Sequence, residues 1–529
     1  MRVFRAYGSA LLFWIAPFVL LLLKAPELSF YLESADHGYQ LSLGRQVVLG
    51  KFPYVDQFFH YGPLTAFTSA IGIWLWDSLI SETLICAFGY ACSIFLIHYL
   101  TKRNISNIFG YAAPALSFLL LARFYKWYYW LFPMLALYIV DKFVRVREKD
   151  GFWLLGAGFL SGISGLYRLD LGLLNFVFFL CVIPFLGVPF KPRKIFKDIG
   201  IFVLIFLISF FIWFVPLYLH GGTVQDYFLS TLVGGHGIQT EWSLSLPKFN
   251  WQQLLSEESS LYVALLVLFL SALFCIFSAL SIYVRHLRKG QINDRSYLFP
   301  FAVGLMAIGI SPQALVRADI HHFLQVLPPV ILAVGCSLMH IQSRSWHYRN
   351  HRYRIHKLIS QLIRVSLVII LSLIVWRIQD FGQLELTSWH TSPISRYKQL
   401  NQGVNADIEH PIVDLIHSIQ SNVEQDEPIL VIPIACQIYY FADRPMSGFI
   451  NAFAAGNIDT PEWRARNLAI IKSTPPKVVV SQALLSDLST DDSFRVRQPE
   501  LYSYLVERYT KVVYQSEGWL LLASDTKPI

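Results

Sequence analysis

Charged residues are scarce in this sequence, and the motifs that identify many soluble enzymes are missing from it. Only 15% of the 529 residues are charged, whereas soluble domains carry about 25%, so the chain lies outside the soluble class. No Walker loop, dinucleotide-binding fingerprint, HExxH motif or nucleophile elbow occurs in a usable context. The six cysteines show no metal-type spacing, and we expect no structural disulfide among them.

The formal net charge of +8 would by itself be compatible with a nucleic-acid partner. The Lys and Arg residues, however, cluster in short loops between apolar runs, which is the distribution of cytoplasmic loops in membrane proteins. We therefore predict no nucleic-acid partner.

Long apolar runs are abundant. A helix that crosses about 30 Å of hydrocarbon needs about 20 mostly apolar residues, and such runs predict about 11 transmembrane helices. They lie near residues 8–25, 80–100, 105–122, 128–143, 152–168, 171–189, 199–219, 259–284, 297–313, 322–341 and 359–377. Placing the basic loops in the cytoplasm requires a cytoplasmic N-terminus and an external C-terminus.

The membrane part contains an apolar segment that does not fit the pattern of spans, and one span with a pair of spaced glycines. Residues 62–76 are apolar, but a span there would break the charge pattern, so we predict a helix lying at the outer membrane surface. Gly158 and Gly162 stand four apart in one span and predict a close contact with a neighbouring helix.

The pattern changes after the last apolar run. Residues 427–434 and 477–482 are typical of short buried strands, 461–472 and 498–509 of amphipathic helices, and 510–524 of a hairpin. The predicted fold class is a polytopic α-helical membrane protein with a small C-terminal α/β extracytoplasmic domain. The predicted boundary separates residues 1–380, which include an external loop at 26–79, from residues 381–529.

Acidic residues in this first external loop are the first candidates for chemistry. Asp36 follows the first span closely, near enough to the lipid surface to meet a lipid-borne substrate. A carboxylate there can act as general base on an acceptor hydroxyl, with a pKa raised by partial burial. The alternative is that Asp36 caps the following helix. Asp56 is the next best carboxylate in the loop, and His60 is a further candidate.

Two later turns, predicted on the same outer face, carry paired charges. They contain Arg168 and Asp170 in one turn, and Arg317, Asp319, His321 and His322 in the other. A guanidinium suits bidentate phosphate binding, and histidine binds phosphate, a metal or a proton. The alternative is that each Arg–Asp pair is an internal ion pair. We interpret Arg123 and Lys126, in an aromatic turn, as bases that extend to the membrane interface.

An ordered set of loop residues resembles a known superfamily. After Asp36, the set consists of Gly50, Pro53, Tyr54, Asp56, Pro63 and Leu64. This arrangement resembles the first periplasmic loop of the GT-C superfamily, and more narrowly its protein mannosyltransferase and aminoarabinose-transferase branch. The two Arg–Asp turns and residues 439–445 also resemble recurrent features of these proteins.

The resemblance implies an enzyme of the cell envelope that lies in the bacterial inner membrane. It would move a sugar from a polyprenyl-phosphate-linked donor in the membrane to an external glycan, lipid or protein. It implies that Asp36 is the catalytic base, and we expect Arg168, Arg317 and His322 to stabilise the departing lipid phosphate. Many members have a second acidic residue directly after the first. Here His37 follows, which leaves the use of a divalent metal open.

Two other functions stay open at this point. A transporter or lipid-linked sugar flippase usually places its ionisable site near the bilayer midplane, often in repeated halves, whereas the candidate charges here lie at the outer ends of the spans. A binding or scaffold protein with an inactive glycosyltransferase fold is the other alternative. Sugar transfer by the purified protein distinguishes the enzyme from both.

Overall fold

A computed structural model describes most of the chain. The described residues are 14–146, 150–186, 192–237, 243–248, 250, 256–289, 294–345, 392–453, 460–482, 494–516 and 518–525. They belong to two compact units. The first unit comprises Met1–Leu23, Cys86–Ile212 and Ser243–Thr387, and the second comprises Lys24–Ile85, Trp213–Trp242 and Ser388–Ile529.

Apolar helices make up the first unit. Their bounds are Trp14–Leu23, Leu79–Asn104 (which begins in the second unit), Asn107–Leu119, Tyr128–Arg145, Asp150–Tyr167, Leu169–Val182, Pro192–Phe211, Glu257–Arg288, Leu298–Ile310, Pro312–Val316, Ile320–Gln325 and Leu327–Ser345, with 3-10 turns at Phe124–Lys126 and Ile183–Leu186. Within the described ranges, every predicted span overlaps a helix. The run at 359–377 lies outside them.

Membrane crossing follows from length and composition. Among the described residues, five helices are long and apolar enough to span: Leu79–Asn104, Leu169–Leu186, Pro192–Leu219, Glu258–Arg288 and Leu298–Val316. A helix satisfies its own backbone hydrogen bonds, so it can cross a lipid core. The protein is a multi-pass membrane protein, and the predicted number of 11 crossings stays a prediction.

Close helix packing occurs where the two glycines predict it. A Cβ atom on Gly158 would lie 2.7 Å from the Phe202 carbonyl oxygen, and one on Gly162 would lie 2.8 Å from Cβ of Ser209. Helices Asp150–Tyr167 and Pro192–Phe211 therefore approach closely because these positions lack side chains, and the prediction is confirmed.

Basic loops meet at one end of the first unit. Arg145 donates to Oδ1 of Asn104 at 2.8 Å, which joins the ends of two helices. Arg295 donates to Oδ2 of Asp150 at 2.9 Å and to the Leu186 carbonyl at 2.7 Å. The predicted clustering of basic loops at a common end is thus present in this unit.

The second unit combines short helices with one sheet. The helices are Leu28–Glu33, Ala35–Val48, Pro63–Leu75, Phe214–Leu219, Val224–Phe228, Pro393–Gln402, Pro411–Asn422, Gln437–Ala442, Pro461–Ser473, Phe494–Arg497 and Pro499–Arg508, with a π-helix at Leu229–Gly234 and a 3-10 turn at Gly403–Asn405. The strands are β1 (Ile429–Ile432), β2 (Val478–Ser481), β3 (Lys511–Ser516) and β4 (Trp519–Ala523). The predicted C-terminal strands, helices and hairpin are all present.

Strand order in the sheet is β1-β2-β4-β3. Strands β1 and β2 are parallel, and β4 is antiparallel to both of its neighbours. Because alternate strand residues face opposite sides, Ile429 of β1 packs in a cluster with Leu28 and Tyr31, whereas Leu430 packs in a cluster with Phe58. Residues of the segment at 26–79 therefore contribute to the core on both faces of the C-terminal sheet.

Candidate functional site

The predicted site residues are divided between the two units. Asp36, Asp56 and His60 belong to the second unit. The first unit contains Arg168, Asp170, Arg317, Asp319, His321 and His322.

Asp36 lies in the first turn of helix Ala35–Val48, and Ser34 is the cap of that helix. Oγ of Ser34 accepts a hydrogen bond from the His37 backbone N at 3.3 Å. The alternative that Asp36 is the cap is therefore wrong. The Asp36 side chain is exposed, not partly buried as expected, and the positive end of the helix dipole favours its negative charge.

His37 anchors this turn in the protein interior. Its ring is fully buried, and Nε2 lies 3.2 Å from Oε1 of Glu82. Glu82 also accepts from Oγ of Ser69 at 2.9 Å and from Nε2 of Gln40 at 3.4 Å. These buried contacts hold the turn that carries Asp36. Sequence reasoning missed Glu82, although a carboxylate near the start of an apolar helix indicates a functional or structural role.

Residues from the C-terminal part of the chain also contact the Asp36 turn. Gln437 donates to the Leu32 carbonyl at 2.8 Å, just before the Asp36 turn. Asp36 also acts on Cys436: burial raises the pKa of that thiol, and the nearby Asp36 carboxylate raises it further. The Asp36 turn and the helix Gln437–Ala442 therefore form one local structure.

Asp56 closes a tight loop. Its Oδ2 accepts from the Phe52 backbone N at 2.7 Å. Tyr54, inside the loop, adopts a φ of 70° and donates from its hydroxyl to the Tyr61 carbonyl at 2.6 Å. A positive φ is uncommon for a bulky residue, so the carboxylate of Asp56 helps to hold an unusual backbone.

His60 lies near the end of the same loop. Its Nδ1 is 3.1 Å from the Tyr39 hydroxyl, and the two rings stack with centroids 5.0 Å apart. Tyr39 is on the helix that carries Asp36, so the structure brings His60 to that helix.

In the first unit, Arg168 and Asp170 form a bidentate ion pair. Nε and one terminal nitrogen of Arg168 each lie 3.1 Å from an oxygen of Asp170. The Tyr129 hydroxyl donates to Oδ2 of Asp170 at 3.1 Å, and Gln313 donates to the same oxygen. Asp170 thus joins three turns, at 123–130, 168–170 and 312–322. Sequence reasoning missed Tyr129 and Gln313.

Arg317, Asp319 and His322 form a second linked group. Nε of Arg317 lies 3.1 Å from Oδ2 of Asp319. Asp319 caps helix Ile320–Gln325: its Oδ1 accepts from the His322 backbone N at 2.9 Å and contacts His322 Nδ1 at 2.8 Å. His321, the neighbouring candidate, is half-buried. Both Arg–Asp turns therefore contain the internal ion pair that the alternative interpretation predicted.

These contacts set the charge state of the group. Burial opposes ionisation of Asp319, but hydrogen bonds and the charge of His322 outweigh it and hold the pKa of Asp319 at about 2. Burial lowers the pKa of His322, and the charges of Lys126 and Arg123 lower it further, against the hydrogen bond that the ring donates to Asp319. Asp319 is therefore ionised and His322 neutral at pH 7.

Arg123 and Lys126 lie close enough to this group for their charges to act on it. Lys126 is only 6% exposed, so the interpretation that it extends to the membrane interface is wrong. Trp130 links the turn at 123–130 to helix Ile320–Gln325, because its Nε1 donates to the Leu324 carbonyl at 2.9 Å. Arg123, Lys126, Arg317 and His322, with Asp319 among them, are called the cation cluster below.

Comparisons with known proteins identify the fold. No protein-family model matches the sequence, and no curated protein matches it. The crystal structure of ArnT from Cupriavidus metallidurans in the apo state matches with a TM-score of 0.50 and 11% identity over 98% of each chain. ArnT bound to undecaprenyl phosphate matches with a TM-score of 0.47 and 13% identity, over 98% of this chain and 97% of that one. ArnT is an aminoarabinose transferase with the GT-C fold. The chain shares its fold with apo ArnT over nearly its whole length, and this fold is the GT-C fold that the first external loop predicts.

Proposed function

We propose that this protein is a glycosyltransferase that moves a sugar from a polyprenyl-phosphate-linked donor to an acceptor at the outer face of the membrane. A fold alone does not specify a reaction, so the proposal depends on what the side chains offer. The observation that carries it is the cation cluster, in which three turns at one end of apolar helices gather two arginines, a buried lysine and a histidine.

The cation cluster suits the phosphate of a membrane-borne donor. A polyprenyl chain can lie along apolar helices while its phosphate meets Arg and Lys at their ends. When the bond between the anomeric carbon and the phosphate oxygen breaks, a singly charged phosphodiester becomes a doubly charged monoester. Fixed positive charge stabilises that added negative charge. Arg168, held by Asp170 in the adjoining turn, is a further phosphate ligand in this proposal.

Asp36 suits the acceptor half of the reaction. It is exposed, so an acceptor from the aqueous side can reach it. The acceptor oxygen attacks the anomeric carbon, its proton passes to the carboxylate, and the lipid phosphate departs. A general base of this kind contributes about 10²–10⁴-fold in rate. The turn is held by buried contacts of His37 and Gln437, which limits its movement.

The proposal includes a membrane arrangement. We propose 11 crossings in the bacterial inner membrane, with the N-terminus cytoplasmic and the C-terminal residues periplasmic. The basic loops at one end of the first unit support this arrangement, because such loops favour the cytoplasmic side. The acceptor is a glycan, a lipid or a protein of the cell envelope.

Binding and transfer are tested on the purified full-length protein in lipid nanodiscs. We expect undecaprenyl phosphate to bind, and radiolabelled polyprenyl-phosphate sugars to be consumed when envelope extract supplies the acceptor. R317Q should weaken phosphate binding at least tenfold, since a charge-assisted hydrogen bond contributes about 1.5–3 kcal/mol. R103Q is the matched control, because Arg103 pairs with Asp141 at the basic end. Movement of intact lipid-linked sugar across vesicles without cleavage would identify a flippase and overturn the proposal.

A further inference from the structure

We propose that His322 takes up a proton when the lipid phosphate binds, so that phosphate binding at the cation cluster is coupled to protonation of this histidine. The inference depends on the proposed function in one respect, since it takes a phosphate as the ligand of the cluster. It adds a proton-linked step that is specific to this chain's Asp319–His322 pair.

The contacts of His322 with Asp319 fix the position of the ring hydrogen. Oδ1 of Asp319 lies 2.8 Å from Nδ1 of His322 and also accepts from the His322 backbone N. An ionised carboxylate can only accept hydrogen bonds, and a neutral imidazole carries a single N–H. The hydrogen of neutral His322 is therefore on Nδ1, and Nε2 presents a lone pair.

A lone pair at Nε2 is unsuited to phosphate binding. Phosphate oxygens accept hydrogen bonds, so neutral His322 has nothing to donate to them from Nε2. After protonation both ring nitrogens donate: Nδ1 keeps its bond to Asp319, and Nε2–H becomes available for a phosphate oxygen.

Burial first, and then the charges around the ring, explain why it is neutral before the ligand arrives. Lys126 and Arg123 oppose its protonation, whereas Asp319 favours it. Asp319 is shared with Arg317, whose Nε lies 3.1 Å from Oδ2, and this reduces the negative charge that Asp319 exerts on the ring.

Helices Glu257–Arg288 and Leu327–Ser345 both pack against helix Ile320–Gln325. In the first turn of helix Glu257–Arg288, Glu258 accepts from the Lys248 backbone N at 2.8 Å. Helix Leu327–Ser345 contains no Asp, Glu, Lys or Arg between residues 327 and 339. Among the described residues, the charges that act on the His322 ring are those of Lys126, Asp319 and Arg123.

A bound phosphate reverses that field. Its negative charge offsets Lys126 and Arg123 and adds an opposite charge beside the ring. A single opposite charge at about 4–6 Å changes a pKa by about 1–3. His322 then takes one proton from solvent, and the positive ring donates from Nε2 to the phosphate.

Calorimetry measures this proton directly. Undecaprenyl phosphate is titrated into the full-length protein in detergent at pH 8, in two buffers with different ionisation enthalpies. At pH 8 a phosphate monoester, whose second pKa is about 6, brings no proton of its own. We expect net uptake of up to one proton per bound phosphate, and affinity that falls by up to about tenfold for each pH unit above pH 8.

Two variants test whether His322 is the group that takes up the proton. H322Q should still bind undecaprenyl phosphate, more weakly and with no uptake, while the adjacent H321Q should retain uptake. If H322Q does not fold, D319N replaces it: the amide can donate to Nδ1, which moves the ring hydrogen to Nε2 and should reduce uptake. Phosphate binding without uptake, or uptake that persists in H322Q, would overturn the inference and leave the proposed function standing. Absence of binding to the wild-type protein would overturn both.

Discussion

Asp36 and Asp56 are carboxylates of the same loop in very different surroundings. Asp56 is half-buried and accepts a backbone hydrogen bond that closes its loop. Asp36 is exposed in the first turn of a helix whose cap is Ser34. Only Asp36 is thus accessible to an acceptor without dismantling local structure, so the two residues can be compared by the same substitution.

D36N should abolish transfer and leave stability nearly unchanged. The substitution removes the basicity of the carboxylate while keeping its size, so we expect a loss of about 10²–10⁴-fold in transfer rate. Binding of undecaprenyl phosphate should stay near the wild-type value. Transfer is measured with labelled donor, and stability as a melting temperature in detergent.

D56N is the matched control. An asparagine side-chain oxygen can accept the hydrogen bond from the Phe52 backbone N, so loop geometry and turnover should both be retained. If D56N abolishes transfer and D36N does not, Asp56 is the base and the assignment of Asp36 is wrong.

Helix Ala35–Val48 depends on the absence of a side chain at position 38. A Cβ atom on Gly38 would lie 2.6 Å from Cβ of Gln437 and 2.8 Å from its backbone N. Neither atom can move without shifting helix Gln437–Ala442. The close contact therefore sets the position of the turn that carries Asp36.

G38A should destabilise the protein in spite of alanine's better helix propensity. Alanine in place of a helical glycine favours the helix by about 0.5–1 kcal/mol, but overpacking costs about 1–3 kcal/mol. We expect a lower melting temperature and reduced transfer. In G235A, where a Cβ atom meets nothing within 4 Å, both should stay near wild type; equal behaviour of the two variants would contradict the packing argument.

At the scale of the whole molecule, residues from distant parts of the chain share one core. Leu28 and Tyr31 pack in the same cluster as Ile429 and Val478 of the C-terminal sheet. The Phe58 backbone N donates to the Phe449 carbonyl at 2.7 Å. The folded state of the segment at 26–79 therefore depends on the C-terminal residues.

Deleting residues 385–529 should separate donor binding from transfer. The cation cluster lies wholly in the first unit, so we expect the truncated chain to insert and to bind undecaprenyl phosphate. The Asp36 turn loses Gln437 and its core partners, so transfer should be lost and the segment at 26–79 should become protease-sensitive. A truncated chain that still transfers sugar would show that the shared core is dispensable.

Topology is tested with reporter fusions. A reporter after residue 357 should be cytoplasmic, and one at residue 529 should be external, because basic loops favour the cytoplasmic side. The readout is alkaline phosphatase activity compared with green fluorescence. A cytoplasmic C-terminus would overturn the proposed number of crossings and the external position of Asp36.

Composition and local pattern were sufficient to predict the helical membrane part and the C-terminal strands. Apolar runs are excluded from water wherever they occur, and short continuous apolar runs form strands that are covered on both faces, so these elements follow from neighbouring residues alone. The resemblance carried by Asp36, Gly50, Pro53 and Tyr54 likewise predicted the GT-C fold, which the comparison with apo ArnT confirms.

Tertiary contacts decided the surroundings of the candidate site. Glu82 meets His37 across 45 residues of chain, and Lys126 is buried beside the turn of Asp319 instead of reaching the interface. Such pairings depend on which distant side chains the packed helices bring together, and on the exclusion of water from those contacts. Neither the spacing of residues nor their type in the sequence predicts these two conditions. The sequence by itself determined which segments form apolar helices and which form the sheet, whereas only the tertiary structure decided which polar groups are buried together, because burial is a property of the whole packing.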